Sequence, residues 1–204
     1  MLRERGEGGA GCAARASGHL GGMDPTGTVP PDSARQARRV ARYYRWLDGL
    51  SWFHERRGEA GHGALPVHRA LADPSGGPPS AMVIHRLMLE GLDLPAAPRV
   101  LDAGCGYGAT MLDLAPRLGG DWTGLTLSAV QVARGTAEIA SRGLAGQVLI
   151  LVRSYDAPLE DLAAEAGFDI AYGIESLIHS ADPARTVANL AAGLARGGHL
   201  VVVD

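Results

Sequence analysis

The sequence predicts an α/β protein: a doubly wound, mostly parallel sheet with strands one to five present, preceded by an N-terminal helical segment. Three observations carry this. From Arg99 onward short apolar runs alternate with helical spacing, the grammar of strand–helix–strand units. The first run, RVLDA, opens into the alternating Gly104, Gly106 and Gly108 and then into a helical pattern. A length of 204 residues with 46% hydrophobic content suits one sizeable core.

Each element has its own signal. Residues 1–32 are rich in Gly, Ala and Arg, show no apolar period and read as a disordered tail, with Met23 competing with Met1 as the start. Ser33 and Gln36 make a capping-box pattern. The helix they open puts Val40, Tyr44 and Leu47 on one face. Arg35, Arg38, Arg42 and Arg45 line another, which reads as a solvated face. Residues 33–97 form this lid-like region; GEAGHG and DPSGGPP break it, and helical spacing returns over 80–92. Residues 98–204 carry the sheet, with strands expected at 99–102, 121–126, 147–153, 169–174 and 199–203. Helices are expected at 109–118, 128–141, 157–166 and 183–196, two of them signalled by the Ser128 cap and by Asp182 followed by Pro183.

Composition excludes several functions. The formal charge of −3 argues against a nucleic-acid binder. Every basic residue is Arg, and the charge is uneven: residues 1–60 carry ten Arg against seven acids, and 61–204 nine against fifteen. Cys12 and Cys105 are too few for a disulfide framework or a cysteine zinc site, no other metal-ligand spacing is present, and a reducing cytoplasmic setting fits. No apolar run approaches the roughly 18 residues of a membrane span, and the N-terminus, with two early Arg and no apolar core, does not read as a signal peptide.

The chemistry centres on RVLDAGCGYGAT, residues 99–110. Alternating glycines let the backbone turn sharply and approach a ligand beside a helix N-terminus. Two cofactor classes use such a turn. Gly104, Gly106 and Ala109 satisfy the nicotinamide pattern, and Asp102 through Gly108 satisfy the acid-x-Gly-x-Gly-x-Gly form of S-adenosylmethionine sites. The end of the second strand separates them. A nicotinamide site places an acid there to hold the ribose, whereas this chain has GLTLSAVQ, with Thr126 at that place and Gln131 five residues on.

From about residue 80 to 204 the chain resembles the class I S-adenosylmethionine-dependent methyltransferases, and GLTLSAVQ resembles the branch of cyclopropane fatty-acid synthases and related small-molecule enzymes. The resemblance implies a Rossmann-like fold and S-adenosyl-L-methionine held by Asp102, Gly104, Gly106, Gly108, Thr126 and Gln131. It also implies that Asp156 and the Ala157 N–H read the adenine after the third strand. LARGGHLVVVD is similar to the family's L-[KR]-P-G-G turn, with Arg196 in place of Pro. YGIESLIHSADP resembles the E-S-L-H-H stretch of small-molecule O- and C-methyltransferases, which makes His179 the candidate base and Glu175 its candidate partner. Cyclopropanation is disfavoured, because Ile178 stands where that family has Glu before the His. VARYYRWL and GHGALPVHRAL are similar to the N-terminal lid of the branch, with Tyr43 or Tyr44 as closing residues. His62 and His68 stand as loop histidines within reach of a substrate, with a surface or structural role as the plainer reading.

The resemblance implies a methyltransferase acting on a small-molecule acceptor, a specialised metabolite or lipid-like compound. Because a sheet of this family has seven strands, the chain is expected to be incomplete after the fifth, with HLVVV at an open edge, and to need a homodimer or a completing partner chain. A non-catalytic cofactor-binding fragment or subunit is the alternative, and a nicotinamide oxidoreductase a weaker third.

Overall fold

The computed structural model describes residues 34–43, 46 and 68–204. The tail at 1–32, both candidate start residues, Cys12, the Ser33 cap, Tyr44, Arg45, Leu47 and His62 lie outside the described residues.

Helix α1 covers residues 34–43, with Arg35, Arg38 and Arg42 exposed and Val40 partly buried, as an amphipathic surface helix requires. Next come α2 (Val83–Leu87), β1 (Arg99–Ala103), α3 (Ala109–Leu118), β2 (Asp121–Thr126), α4 (Ala129–Ser141) and β3 (Val148–Val152). They are followed by α5 (Glu160–Ala163), β4 (Phe168–Ile174), a 3-10 turn (Leu177–His179), α6 (Pro183–Ala192) and β5 (Leu194–Val203). The five strands form one parallel sheet in the order β3-β2-β1-β4-β5. The chain winds outward from β1 to β3, crosses back, and winds the other way through β4 and β5. Strand order therefore reverses at β1, and an open α/β sheet has its ligand crevice beyond the carboxyl ends of the strands at such a point.

Two cores cover the two faces. Val100, Met111, Trp122, Ile150, Ile170 and Tyr172 pack with the α2, α3 and α4 side. Leu101, Ala103, Leu125, Leu159, Phe168 and Leu190 pack with the α5 and α6 side. Successive β1 residues thus alternate between cores, and β1 reads as a continuous apolar run because both its faces are covered. Trp122 is 2% exposed and keeps its indole N–H satisfied on the Gly119 carbonyl at 2.7 Å. At the base of the sheet Arg99 donates to the carbonyls of Ala163 and Gly167 at 2.6 and 2.5 Å and stacks over Phe168.

The caps behave as expected: Ser128 accepts from the Gln131 N–H, and Asp182 accepts from the Arg185 N–H with Pro183 in the first turn. Three helix expectations need correction. The helix expected over 80–92 is confined to 83–87, because the Ser80 backbone pairs with Leu71 in both directions and Gly91 turns at φ +77°. The helix expected over 157–166 shrinks to Glu160–Ala163; Pro158 delays its start and Ala164, at φ +52°, ends it. The last helix stops at Ala192 rather than 196. Leu194 already pairs with Phe168, so β5 starts five residues earlier than expected, and Ala195–Gly198 bulge out before pairing resumes at His199 opposite Ile170. Among the described residues, no helix is long and apolar enough to cross a membrane.

Candidate functional site

The site begins where β1 ends. The N–H groups of Gly104 and Cys105 both donate to the Leu125 carbonyl, at 3.0 and 2.9 Å, so the turn is pinned to the end of β2. Gly104 sits at φ +113°, and a Cβ on it would stand 2.4 Å from that of Ser176. No other residue fits there. Ser176 in turn donates from Oγ to the Ala103 carbonyl at 2.5 Å, and Tyr155 donates from its hydroxyl to the Ser176 carbonyl at 2.6 Å. The turn after β1, the loop after β3 and the loop after β4 are therefore one hydrogen-bonded unit. Gly106 and Gly108 also have positive φ, and Gly108 opens α3 with no side chain capping it.

This unit frames a cavity at the carboxyl end of the sheet, lined by Asp102, Gly104, Gly106, Thr126, Gln131 and Tyr155 and walled by Val40 of α1, His68 and His179. Asp102 is 3% exposed and accepts one hydrogen bond, from the Tyr172 hydroxyl at 2.9 Å. Burial pushes its carboxyl up to about 7, with the Tyr172 bond pulling the other way. The cavity floor thus holds an acid poised between neutral and charged, for which a cationic ligand would be a strong partner. Beside it Thr126 donates to the Gln131 Oε1 at 2.6 Å and accepts from the Ser128 N–H at 3.2 Å. Because Thr126 occupies the amide oxygen, Gln131 is left to offer its NH2 group. Asp102, Gly104, Gly106, Thr126 and Gln131 therefore come together at one cavity.

Other candidates are placed differently. Asp156 is buried but does not line the cavity. Its Oδ1 accepts from Ser180 at 3.0 Å and from Thr186 in a short contact, which ties the loop after β3 to the start of α6. The Ala157 N–H closes a turn on the Ser154 carbonyl at 3.3 Å. From the same loop Arg153 and Tyr155 reach the cavity instead. Glu175 is also outside the lining; it adopts φ +48° and its Oε1 accepts from the Arg69 N–H at 3.2 Å, fastening the segment after the lid to the sheet. His179 lines the cavity, and its carbonyl accepts from Gln36 of α1 at 3.4 Å. Tyr43 is 51% exposed and lies outside the lining.

Sequence reasoning missed one constellation. The Nε2 atoms of His68 and His85 lie 3.0 Å apart, and Nδ1 of His85 lies 2.7 Å from Oδ2 of Asp113. His85 is fully buried. Asp113 also pairs with Arg117, its i+4 neighbour, at 2.8 Å. These residues come from the segment after the lid, from α2 and from α3, so no local spacing announces them; the unexplained His in the apolar VIHRL run was the available signal. Among the described residues no cluster of His, Cys, Asp or Glu is arranged to hold a metal ion.

A doubly wound parallel sheet with an acid and glycine turn after its first strand defines a nucleotide-type ligand domain, and comparison with known proteins specifies which. Residues 100–198 match the family described as "Methyltransferase domain", and the comparisons support the class I, S-adenosylmethionine-dependent kind. The chain is similar to O-methyltransferase rstn1 of Aspergillus nomiae, 34% identical over 116 residues, which are 56% of this chain and 50% of that protein. It is also similar to O-methyltransferase resE of Aspergillus sclerotiorum, 34% identical over 136 residues, 65% of this chain and 50% of that one. Among solved structures, the [4+2]-cyclase SpnF superposes with a TM-score of 0.66 and 25% identity, covering 81% of this chain and 59% of that one. The chain spans about half the length of the curated relatives it matches.

Proposed function

We propose that the cavity binds S-adenosyl-L-methionine and that the chain transfers its methyl group to a small, largely apolar acceptor. The observation that carries this is the buried Asp102 beneath the glycine turn, in one cavity with the Thr126–Gln131 pair. The residues fit such a cofactor in charge and shape. Asp102 suits an ammonium group, the uncapped N-terminus of the ten-residue α3 suits a carboxylate, and Thr126 with Gln131 suits a ribose diol. Gly104 and Gly106 leave room for a ligand against the backbone. Asp156 and Ala157 act on the adenine end by holding the 153–156 loop, from which Arg153 and Tyr155 face the cavity.

Bound in this way, the cofactor supplies an electrophilic methyl group on a sulfonium. The chain's own residues do the rest: Val40, Leu125, Leu127 and Ile174 exclude water, His179 and His68 border the acceptor space, and α1 closes it through Gln36. Glu175 contributes by fastening the Arg69 segment rather than by touching the acceptor. The lid roles expected of Tyr43 and Tyr44 belong to this reading as closing residues. Two of the relatives described above are named O-methyltransferases, which favours an oxygen acceptor.

A second reading rests on the likeness to SpnF, named for a [4+2]-cyclase: a domain of this fold that binds its cofactor and uses the same cavity without transferring methyl. Incubation of the full chain with S-[methyl-3H]-adenosylmethionine and a panel of aromatic and aliphatic alcohols separates the two. Label entering an organic-soluble product supports methyl transfer. Tight cofactor binding with no labelled product across the panel supports the second reading, and absence of cofactor binding refutes both.

A further inference from the structure

Two histidines reach the cavity, and one of them is the end of a chain of hydrogen bonds that crosses three elements. His68 lines the cavity, His85 stands behind it at 3.0 Å, and Asp113 stands behind His85 at 2.7 Å. The rings of the two histidines meet edge to face, 74° apart. Nδ1 of His68 is buried with no hydrogen-bond partner among the described residues. A buried polar atom without a partner in an otherwise satisfied site asks for a ligand.

The network dictates where the protons sit. A carboxylate only accepts, so Asp113 fixes a proton on Nδ1 of His85. We take His85 as a neutral ring, so that its Nε2 is a lone pair and His68 donates from its own Nε2 across the short contact. That leaves a lone pair on Nδ1 of His68, the buried atom without a partner, on a residue that lines the cavity. We propose that His68 is the base that removes the proton from a hydroxyl acceptor, and that His85 and Asp113 are positioning residues that hold it in the reactive tautomer. The proposal rests on the methyltransferase reading and narrows its acceptor to a phenol or enol hydroxyl. An aliphatic alcohol is a much weaker acid than a phenol or enol, and an aliphatic C–H weaker still, so an imidazole base is matched to the phenol or enol.

In the transfer the oxygen–methyl bond forms as the methyl–sulfur bond breaks, the electron pair of the broken bond stays on sulfur, and the hydroxyl proton passes to Nδ1 of His68. The cation so formed shares its Nε2 proton with His85, and Asp113 compensates the charge. Burial holds His68 below the ordinary imidazole range and the neighbouring His85 adds to this, while the Arg69 backbone and Glu175 pull the other way. His68 is therefore unprotonated at neutral pH, as a base must be. The charged and titratable groups facing the relay are Arg117 on Asp113, Glu175 and Arg69 on the His68 side, and Asp102, Arg153 and His179 across the cavity.

The test uses the full chain labelled with 15N-histidine and two-bond 1H–15N correlation spectra at pH 7.5, without cofactor or acceptor. Signals assigned by their loss in H68Q and H85Q should show His68 neutral with its proton on Nε2 and His85 neutral with its proton on Nδ1. D113N should disturb both, because an amide that donates to Nδ1 of His85 reverses the relay. His68 with its proton on Nδ1, or either ring cationic, overturns the proposal. In methyl transfer to phenol, orcinol and 4-octylphenol, H68Q should lower kcat by about 100-fold and D113N by roughly tenfold. Calorimetric affinity for S-adenosylmethionine should stay within about twofold. The rise of kcat with pH through the His68 titration should vanish in H68Q. A wild type that transfers methyl while H68Q keeps its kcat overturns the base but not the methyltransferase. A wild type that binds no S-adenosylmethionine overturns the underlying reading, whatever the tautomers.

Discussion

The floor of the cavity and its N-terminal wall are built by opposite means. The floor runs almost continuously from β1 through β2 into α4, and backbone hydrogen bonds, a glycine no side chain could replace, and the Ser176 bridge fix it. The wall comes from α1 and the segment at His68, held by a few side-chain contacts: Gln36 to the His179 carbonyl, the Arg69 N–H to Glu175, and His68 to His85. A rigid floor suits a ligand that never changes, and a wall of sparse contacts suits an acceptor that differs between enzymes of one fold. Substitutions in the floor should therefore damage folding and cofactor binding, and substitutions in the wall should damage rate or acceptor choice.

The largest break expected is Gly104→Val. Its Cβ would collide with Ser176 and its backbone would be forced into a left-handed region, at a cost of about 4 kcal/mol. Thermal unfolding checks this, and a melting temperature unchanged from the wild type would contradict the pinned floor.

Next is Asp102→Asn, where stability and binding should move in opposite directions. The folded-state carboxyl is raised to about 7 from an ordinary 3.8. Its contribution to stability is therefore full below the unfolded value and is lost as pH rises toward 7. Replacing it with a neutral isostere should stabilise the ligand-free chain at pH 8 by on the order of 2–4 kcal/mol, and should remove the pH dependence of melting across this range. The same change should abolish tight cofactor binding.

A smaller effect is expected from Thr126→Val. It deletes the hydroxyl that orients Gln131 and leaves that amide oxygen buried, which should cost about 1–2 kcal/mol of stability and roughly tenfold in cofactor affinity. Calorimetry with the Gln131→Ala variant as a second arm shows whether the two act as a pair: the double variant should lose less than the sum of the singles.

The smallest effect falls in the wall. Glu175 adopts φ +48°, and its ion pair with Arg69, whose side chain is 88% exposed, stabilises little. Glu175→Gly should raise stability by up to about 1 kcal/mol and lower the acceptor rate modestly, without changing cofactor affinity.

The contrast between floor and wall also explains what was legible in the sequence. The parallel, doubly wound sheet follows from strand–helix alternation, and the Asp102, glycine, Thr126 and Gln131 set follows from short motifs, because contiguous residues build the floor. Thr126 and Gln131 are five apart and share one hydrogen bond. The β5 bulge was hidden because Leu194 and Ala195 have helical composition, and only pairing with Phe168 draws them into the sheet. Asp156 follows the third strand, where the resemblance leads one to expect it, yet its carboxylate is engaged by Ser180 and Thr186, a contact set by how α6 packs. His68, His85 and Asp113 meet through three-dimensional packing alone, and no spacing rule could have joined them.

The central claim, a cofactor cation held by the ionised form of Asp102, is tested most directly by calorimetric titration of S-adenosylmethionine into the full chain at pH 8 and pH 6. With the carboxyl half-ionised near 7, affinity should be about tenfold weaker at pH 6, and D102N should bind weakly and alike at both. Equal affinity of the wild type at the two pH values, or tight binding by D102N, would contradict the account.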